Sequence, residues 1–241
     1  MGEKSVRLFV DQRVSEGERI GLTREQAHYL FGVMRLTEGN EIEVFDGRSD
    51  GRHARIVEAG KKAGTVICTH VATPFRAPPD LWLMFAPIKK ERTDFIVEKA
   101  AELGAARIMP VQTEYTQTGR IKRDRLQAHA VEAAEQCGGT HVPEVSEMVT
   151  LSALIDGWDM GRRILWPDEA LAGPASTLAG AQAGPWAILV GPEGGFSDGE
   201  RARLRGMAAV TPVSLGPRIL RADTAAVAAL TLWQAALGDW R

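Results

Sequence analysis

The sequence has little of several features that mark particular classes of protein. Its 241 residues include only two cysteines, Cys68 and Cys137, so no disulfide framework is expected. The most apolar stretch, residues 225–237, contains Thr231 and Gln234 and is too short to cross a bilayer. The N-terminus lacks the apolar core of a signal peptide. A reduced, cytoplasmic protein that does not enter a membrane is therefore expected.

An excess of charge of one sign is also missing. The chain has 29 Lys and Arg against 31 Asp and Glu, which gives a formal net charge of -2. This balance argues against binding of nucleic acid through bulk positive charge and leaves only local cationic patches. Two charge-dense stretches, residues 89–92 and 119–125, could form such patches, although runs of this kind more often lie on a solvated surface.

The usual nucleotide-binding motifs are absent from the sequence. It contains no Gly-x-Gly-x-x-Gly after a strand and no Gly-Lys-Ser/Thr. Cys137 and His141 are four residues apart, which could suit a metal, but the chain offers no paired Cys or His to complete a ligand set. The ordinary nucleotide-binding loops are thus excluded, and no metal site is predicted.

Two loops rich in glycine and proline stand out instead. The apolar run 187–190 predicts a buried strand, which leads into glycines at 191, 194 and 195 and then into a helix whose capping box is Ser197 with Glu200. A second loop, 216–221, follows the short strand 213–215 and opens another helix. Glycine allows a ligand to approach the main chain closely. Two such loops at successive strand ends can face one pocket made mainly of backbone.

The rest of the chain predicts two domains. Residues 1–73 favour a small β-rich module, with a helix that begins at Thr23. Prolines at 74, 78 and 79 mark a boundary, and the alternating strands and helices of residues 74–241 are typical of a parallel α/β domain. The predicted strands are 7–10, 41–45, 53–57, 66–71, 81–86, 107–111, 164–166, 187–190 and 213–215, and the main helices surround 96–103, 126–137 and 224–237.

Several motifs together resemble one family. Segments 189–197 and 215–225 closely resemble the signature loops of the RsmE family, the 16S ribosomal RNA (uracil-N3)-methyltransferases of the SPOUT superfamily. Segment 98–104 is similar to the family's Lys-Ala-x-Glu-Leu-Gly helix, 134–143 to its Glu-Gln segment, and 28–47 to its N-terminal PUA-like domain. The motifs follow the family's order along nearly the whole chain.

The resemblance implies a fold and an activity. The fold is α/β, with an N-terminal PUA-like small β-barrel that binds RNA and a C-terminal SPOUT methyltransferase domain that contains a trefoil knot. The activity is transfer of a methyl group from S-adenosylmethionine to N3 of a uridine in 16S rRNA of the small ribosomal subunit, by a homodimer. The implied cofactor-binding residues are Leu189, Gly191, Pro192, Gly194, Gly195, Leu215, Gly216, Ile219, Leu220, Thr224 and Ala225.

The implied chemistry suggests further site residues. Methyl transfer from a sulfonium needs an in-line nucleophile, and the uracil N3 must lose its proton. Arg218 and Arg221 are candidates for stabilising the resulting anion or for contacting a phosphate. Glu193 is a candidate for orienting the cofactor or the target base, and bracing of the glycine turn is an equal alternative. The candidate RNA contacts are Arg7, Arg35, Lys89, Arg120, Lys122 and Arg123.

Two departures from the family pattern, and two alternative functions, remain open. Asp223 stands where the family has Glu, with Ala222 in place of Thr, so the acid is kept but reaches less far. Gly139 stands where the family has Arg, which removes a bidentate cation. One alternative is a non-catalytic RNA-binding assembly factor, which a lack of cofactor binding would favour. The other is a SPOUT methyltransferase for a different RNA nucleotide.

Overall fold

The computed structural model describes residues 5–171 and 173–240. Contacts between Cα atoms divide the chain into two compact units, one formed by the chain up to Ala77 together with Ala134–Val142, the other by Pro78–Ala133 and the chain from Pro143 onward. The expected boundary at 73/74 lies four residues before this division. Segment 134–142 belongs with the first unit because the guanidinium of Arg7 donates hydrogen bonds to backbone carbonyls of that segment.

The first unit is built on a five-stranded sheet. Its elements are β1 (Arg7–Phe9), β2 (Arg19–Leu22), α1 (Arg24–Ala27) followed by a π-helical turn (His28–Val33), β3 (Glu41–Phe45), β4 (Gly51–Ala59) and β5 (Gly64–Thr73). The strand order is β1-β3-β4-β5-β2, in which β1 lies parallel to β3 and the other neighbours are antiparallel. Thr23 caps α1 and forms the predicted capping box with Gln26. The expected β-rich module is confirmed, with β2 as a strand that the sequence pattern does not reveal.

The second unit is a sheet of seven strands, and its parallel α/β class is as predicted. Its elements are β6 (Leu81–Phe85), α2 (Lys90–Glu102), β7 (Arg107–Gln112), α3 (Arg123–Cys137, which ends in the first unit), β8 (Glu144–Val145), β9 (Val149–Thr150), α4 (Leu151–Asp156), β10 (Arg163–Pro167), a 3-10 turn (Glu169–Leu171), β11 (Trp186–Val190), α5 (Asp198–Gly206), β12 (Val210–Val213) and α6 (Ala222–Leu237). The strand order is β12-β10-β11-β6-β7-β8, and β9 also pairs with β7. Every pair in this unit is parallel.

The core of the second unit explains its sequence pattern. All five residues of β11 are buried, because the strand has neighbours on both sides and layers on both faces. Helix α6 packs on α2, where the fully buried Gln234 donates a hydrogen bond to the Leu103 carbonyl at 2.7 Å. Gly104, with φ of +75°, reverses the chain just after α2. This face of α6 is therefore part of the core.

Three further findings concern the described residues. No helix within residues 5–171 and 173–240 is long and apolar enough to cross a membrane. No group of three or more His, Cys, Asp and Glu side chains in these ranges is arranged to hold a metal ion. Cys68 and Cys137 are both free, and burial raises the pKa of the Cys68 thiol.

Candidate active site

Three neighbouring strands of the second unit end at one edge of the sheet. Since β10, β11 and β12 are parallel and adjacent, the segments that follow them converge there. We call residues 191–197, after β11, the glycine loop, and residues 214–221, after β12, the arginine loop. Together with Pro167 and Glu169, at the end of β10, they enclose a cleft of about 570 Å³. This volume is in the range of small-molecule and cofactor sites.

The cleft brings together most of the predicted cofactor-binding residues. Leu215 and Gly216 line a smaller adjoining cleft that shares Ile219, Leu220 and Ala225 with the main one. The two loops therefore face one pocket, as their positions in the sequence indicate. The predicted residues that line the main cleft are Gly191, Pro192, Gly194, Gly195, Ile219, Leu220 and Ala225, and the candidate groups Glu193, Arg221 and Lys89 line it as well.

Two predicted cofactor residues do not line either cleft. Leu189 is 1% exposed, and its side chain packs in the core with Trp166 and Phe196. Thr224 is exposed in the first turn of α6, and its N–H donates to the carboxylate of Asp223 at 2.8 Å. The expectation for Leu189 is corrected to a core residue, and Thr224 lies beside the pocket.

Packing holds the glycine loop in shape. The N–H of Gly195 donates to the Pro192 carbonyl at 2.9 Å, and the φ of Gly195 is +69°, a region that L side chains rarely adopt. Phe196 is buried with its ring edge-on to Trp166, at 5.8 Å between centroids. A Cβ on Gly191 would stand 2.7 Å from the Phe196 ring, so this glycine is required by packing as well as by access. Ser197 and Glu200 form the predicted capping box of α5.

A buried carboxylate fixes the helix that follows the glycine loop. Asp168, whose side chain is 1% exposed, accepts hydrogen bonds from Arg201 at 2.7 Å and from Arg205 at 2.9 Å. Burial alone would raise the pKa of Asp168, but hydrogen bonds from Arg205 and the Ala170 N–H, with the charge of Arg201, hold it below its usual value. Arg201 also pairs with Glu169 and donates to the Phe196 carbonyl. The end of β10 is thereby tied to the glycine loop.

Arg92 connects the glycine loop to the start of α6. It comes from the first turn of α2, and its guanidinium donates to Glu193 at 3.0 Å, while its Nε lies 3.8 Å from a carboxylate oxygen of Asp223. One cation therefore joins acids from both sides of the pocket. Arg92 lies farther from Asp223 than from Glu193, and the side chain of Asp223 is one methylene shorter than that of the glutamate in the family pattern.

The arginine loop is less constrained than the glycine loop. Arg218, Ile219 and Arg221 are exposed, Ile219 by 78%. Within the described ranges, neither Arg218 nor Arg221 has an ion-pair partner, and the N–H groups of Ile219 and Leu220 donate to no protein acceptor. The loop therefore presents free cations and free backbone donors beside the cleft.

Five residues that line the cleft were not predicted as site residues: Arg92, Pro167, Glu169, Val190 and Ala222. Arg92 lies in the charged stretch 89–92, but a stretch of charges does not show which member turns inward. Pro167 and Glu169 follow the predicted strand 164–166, and the available signal was that a third strand ended in a Pro-Asp-Glu turn at the same edge of the sheet.

The candidate RNA contacts lie in several places. Lys89 is exposed and lines the main cleft, and Arg120 and Lys122 are exposed and line a neighbouring cleft of about 430 Å³. Arg123 is engaged locally, because it donates to the Val145 carbonyl at 2.8 Å. Arg35 is exposed in the first unit, with a φ of +57°.

Arg7 has a different environment from the one expected of an RNA contact. Its side chain is 11% exposed, pairs with Glu43 at 3.1 Å and lies over the ring of Phe45 at 4.7 Å. With its other N–H groups bonded to carbonyls of segment 134–142, its donors are used within the first unit. The prediction that Arg7 contacts RNA is therefore corrected: Arg7 is a structural residue of the first unit. Its partner Gly139 is the position where the family pattern has arginine.

Comparison with known proteins gives concordant results. Residues 76–234 match the model of the RNA methyltransferase domain, and residues 22–67 match that of the RNA methyltransferase PUA domain. The chain is 27% identical to the ribosomal RNA small subunit methyltransferase E of Rickettsia conorii, over 93% of each protein.

Solved structures resemble the chain over its length. A structure from Legionella pneumophila, described as a methyltransferase with the bound cofactor SAM, has a TM-score of 0.89 at 30% identity and covers 98% of this chain and 100% of its own. The ribosomal RNA small subunit methyltransferase E of Neisseria gonorrhoeae, bound to S-adenosyl methionine, has a TM-score of 0.88 at 26% identity, with coverage of 99% and 100%.

Proposed function

The chain belongs to the RNA methyltransferase family, and on that premise we propose that it transfers a methyl group from S-adenosylmethionine to N3 of a specific uridine in 16S rRNA of the small ribosomal subunit. The observation that carries this proposal is the single cleft formed by the glycine loop and the arginine loop. The proposed enzyme acts in the cytoplasm, with residues 1–73 as its RNA-binding domain and residues 74–241 as its methyltransferase domain.

The residues around the cleft fit an adenosine-containing cofactor. Within the described part of the chain, the N–H groups of Gly194, Ile219 and Leu220 donate to no protein acceptor, so they are free to bond ring nitrogens, ribose hydroxyls or a carboxylate. Ile219 and Leu220 supply apolar surface on the same side. The cofactor-binding residues we propose are those that line the two clefts, with Thr224 beside them and without Leu189.

The chain's own residues supply positioning and charge in this reaction. S-adenosylmethionine, when bound, supplies the electrophilic methyl group. Arg218 and Arg221 have no acidic partner among the described residues, so either guanidinium can stabilise the negative charge that develops on the uracil as its N3 proton leaves.

Glu193 acts in this account by holding the pocket together. Its carboxylate accepts from Arg92, and that ion pair joins the glycine loop to α2. A carboxylate engaged in this way braces the turn, which supports the second of the two interpretations that the sequence allows. Asp223 extends the same bridge to α6 through Arg92, so the shorter acid still serves at this position.

Three further parts of the proposal rest on the family. We propose that the C-terminal strands and helix thread into a trefoil knot, that two copies of the chain assemble around the site, and that the exposed cations Arg35, Lys89, Arg120 and Lys122 contact RNA. The half-buried side of α6, with Val227, offers apolar surface for a second copy. Lys89 lies at the cleft itself and would meet the RNA closest to the reaction.

The proposal is tested by transfer of labelled methyl groups to small ribosomal subunits that lack the modification. The expected product is N3-methyluridine at one position of 16S rRNA, identified by mass spectrometry of the nucleosides. Cofactor binding without transfer would favour a methyltransferase for another nucleotide. Absence of both binding and transfer would favour the non-catalytic assembly factor.

A further inference from the structure

A second, smaller cleft adjoins the glycine loop on the side away from the arginine loop. It shares Lys89 and residues 192–194 with the main cleft, and its other wall is formed by Ile88, Tyr115 and Gln117. Tyr115 and Gln117 come from segment 113–122, which connects β7 to α3. This segment therefore reaches the rim of the main cleft beside the glycine loop.

Tyr115 is an exposed aromatic ring with no protein partner. It is 46% exposed, and within residues 5–171 and 173–240 no hydrogen bond or ring contact engages its hydroxyl or its ring. Its Cβ would lie 3.2 Å from a Cβ built on Gly194, so the tyrosine stands directly against the glycine loop. A large ring left open to solvent beside a ligand site is available for stacking on a planar group.

Gln117 places a carboxamide in the same small cleft. Its side chain is exposed, and none of the hydrogen bonds among the described residues uses it. A carboxamide offers both an N–H donor and a carbonyl acceptor. The edge of a pyrimidine base carries carbonyl oxygens and a ring nitrogen, which this pair of functions can bond.

A cationic cleft continues from the small one. The two share Ile88 and Thr118, and the second is lined by Lys90, Arg120 and Lys122. In the described part of the chain these three side chains have no ion-pair partner. Arg125, which also lines this cleft, is instead paired with Asp94. Unpaired cations gathered at one place hold phosphates by releasing counterions.

We propose that segment 113–122 is the substrate-binding segment, in which the Tyr115 ring stacks on the target pyrimidine, Gln117 bonds the edge of that base, and Lys90, Arg120 and Lys122 hold the neighbouring phosphates. A base must leave its helix before an enzyme can reach its ring atoms, and an aromatic platform beside the methyl donor receives it. This inference rests on the proposed function and deepens it. It gives the path of the RNA from the cationic cleft to the cofactor cleft.

The test compares Tyr115→Ala with Tyr115→Phe, which keeps the ring, and with Gln112→Ala, a neutral change at an exposed position before the segment. Turnover is measured on unmethylated small subunits, and the dissociation constant of S-adenosylmethionine is measured by calorimetry. Tyr115→Ala is expected to raise KM for the subunit about tenfold or more, since stacking on an aromatic ring is lost. Cofactor affinity should change less than about twofold, and Tyr115→Phe and Gln112→Ala should resemble the unaltered protein.

Binding of a fluorescent oligouridylate in the presence of S-adenosylmethionine gives a second readout that needs no turnover. Weaker binding by Tyr115→Ala but not by Tyr115→Phe supports the base site. Equal binding by all variants overturns it, and so does a KM that Tyr115→Ala leaves unchanged. If the unaltered protein binds oligouridylate through Tyr115 but transfers no methyl group, the proposed function fails and the base site stands.

Discussion

The glycine loop and the arginine loop follow adjacent parallel strands, yet they are held in very different ways. The glycine loop is fixed by the buried Phe196, by a capping box and by the ion pair between Glu193 and Arg92. The arginine loop leaves Arg218 and Ile219 exposed. We infer that the first loop is a preformed wall of the pocket, and that the second supplies groups that find their partners in the ligands.

The largest effect should come from breaking the support behind the glycine loop. Asp168→Ala removes a buried carboxylate that accepts hydrogen bonds from two arginines, and is expected to lower the free energy of unfolding by about 3 kcal/mol, since charged hydrogen bonds are lost and donors of the largely buried Arg201 are left without an acceptor. The matched control is Asp156→Ala. It removes an exposed acid that pairs with Arg203, which lies in α5 like the two arginines that pair with Asp168, and it should lower the free energy of unfolding by less than about 1 kcal/mol. Urea unfolding measures both, and equal losses would contradict the account.

For a substitution in the arginine loop we expect the opposite result, a loss of activity without a loss of stability. Arg218→Ala should lower kcat about 100-fold, as removal of a group that stabilises developing charge does. Cofactor affinity and the free energy of unfolding should be largely kept, because the side chain is exposed and unpaired in the described structure. Arg218→Lys keeps the charge but not the planar guanidinium, so its kcat should lie between those of Arg218→Ala and the unaltered protein. Normal turnover of Arg218→Ala would dismiss this arginine from the chemistry.

A backbone change in the glycine loop should have a somewhat smaller effect. Gly195→Ala places a Cβ at a φ of +69° and 2.6 Å from the Glu169 carboxylate, so we expect a loss of about 2 kcal/mol in the free energy of unfolding. Gly206→Ala, at the end of α5 with nothing within 4 Å, is the control and should cost nothing measurable. If Gly195→Ala were as stable as the control, the glycine loop would not be fixed by the contacts described here.

The smallest effect concerns pH. The folded pKa of Asp168 lies below its ordinary value, so its contribution to stability is fully present above the ordinary carboxyl pKa of about 3.9 and is lost as the pH falls through the folded pKa. The free energy of unfolding should therefore decline more steeply below about pH 4 in the unaltered protein than in Asp168→Asn, which cannot titrate there. Parallel curves for the two proteins would show that Asp168 carries no linked proton.

The sequence predicted those parts of the structure that depend on neighbouring residues. The helix starts at Thr23 and Ser197 depend on capping residues three positions apart, and the alternation of strands and helices indicated the parallel sheet. The meeting of the two loops also followed, because adjacent parallel strands end at one edge.

Long-range partners could not be predicted. Arg92 meets Glu193 across 101 residues, and nothing near either residue shows the pairing. Arg7 looked like a free surface cation, but the return of segment 134–142 to the first unit buries it. Tyr115 gave no signal because a single aromatic residue in a polar segment is typical of any surface. In each case the deciding contact comes from a part of the chain far away in sequence.

The most direct test of the account is calorimetric titration of S-adenosylmethionine into the unaltered protein and into Gly194→Val. Gly194 lines the main cleft, and a Cβ at this position would stand 3.2 Å from the Cβ of Tyr115, so a valine there forces the glycine loop to shift. We expect that the unaltered protein binds the cofactor and that Gly194→Val, still folded by circular dichroism, loses affinity by about 100-fold or more, since overpacking displaces this wall of the cleft. Unchanged affinity would remove the glycine loop from the cofactor pocket and contradict the central claim.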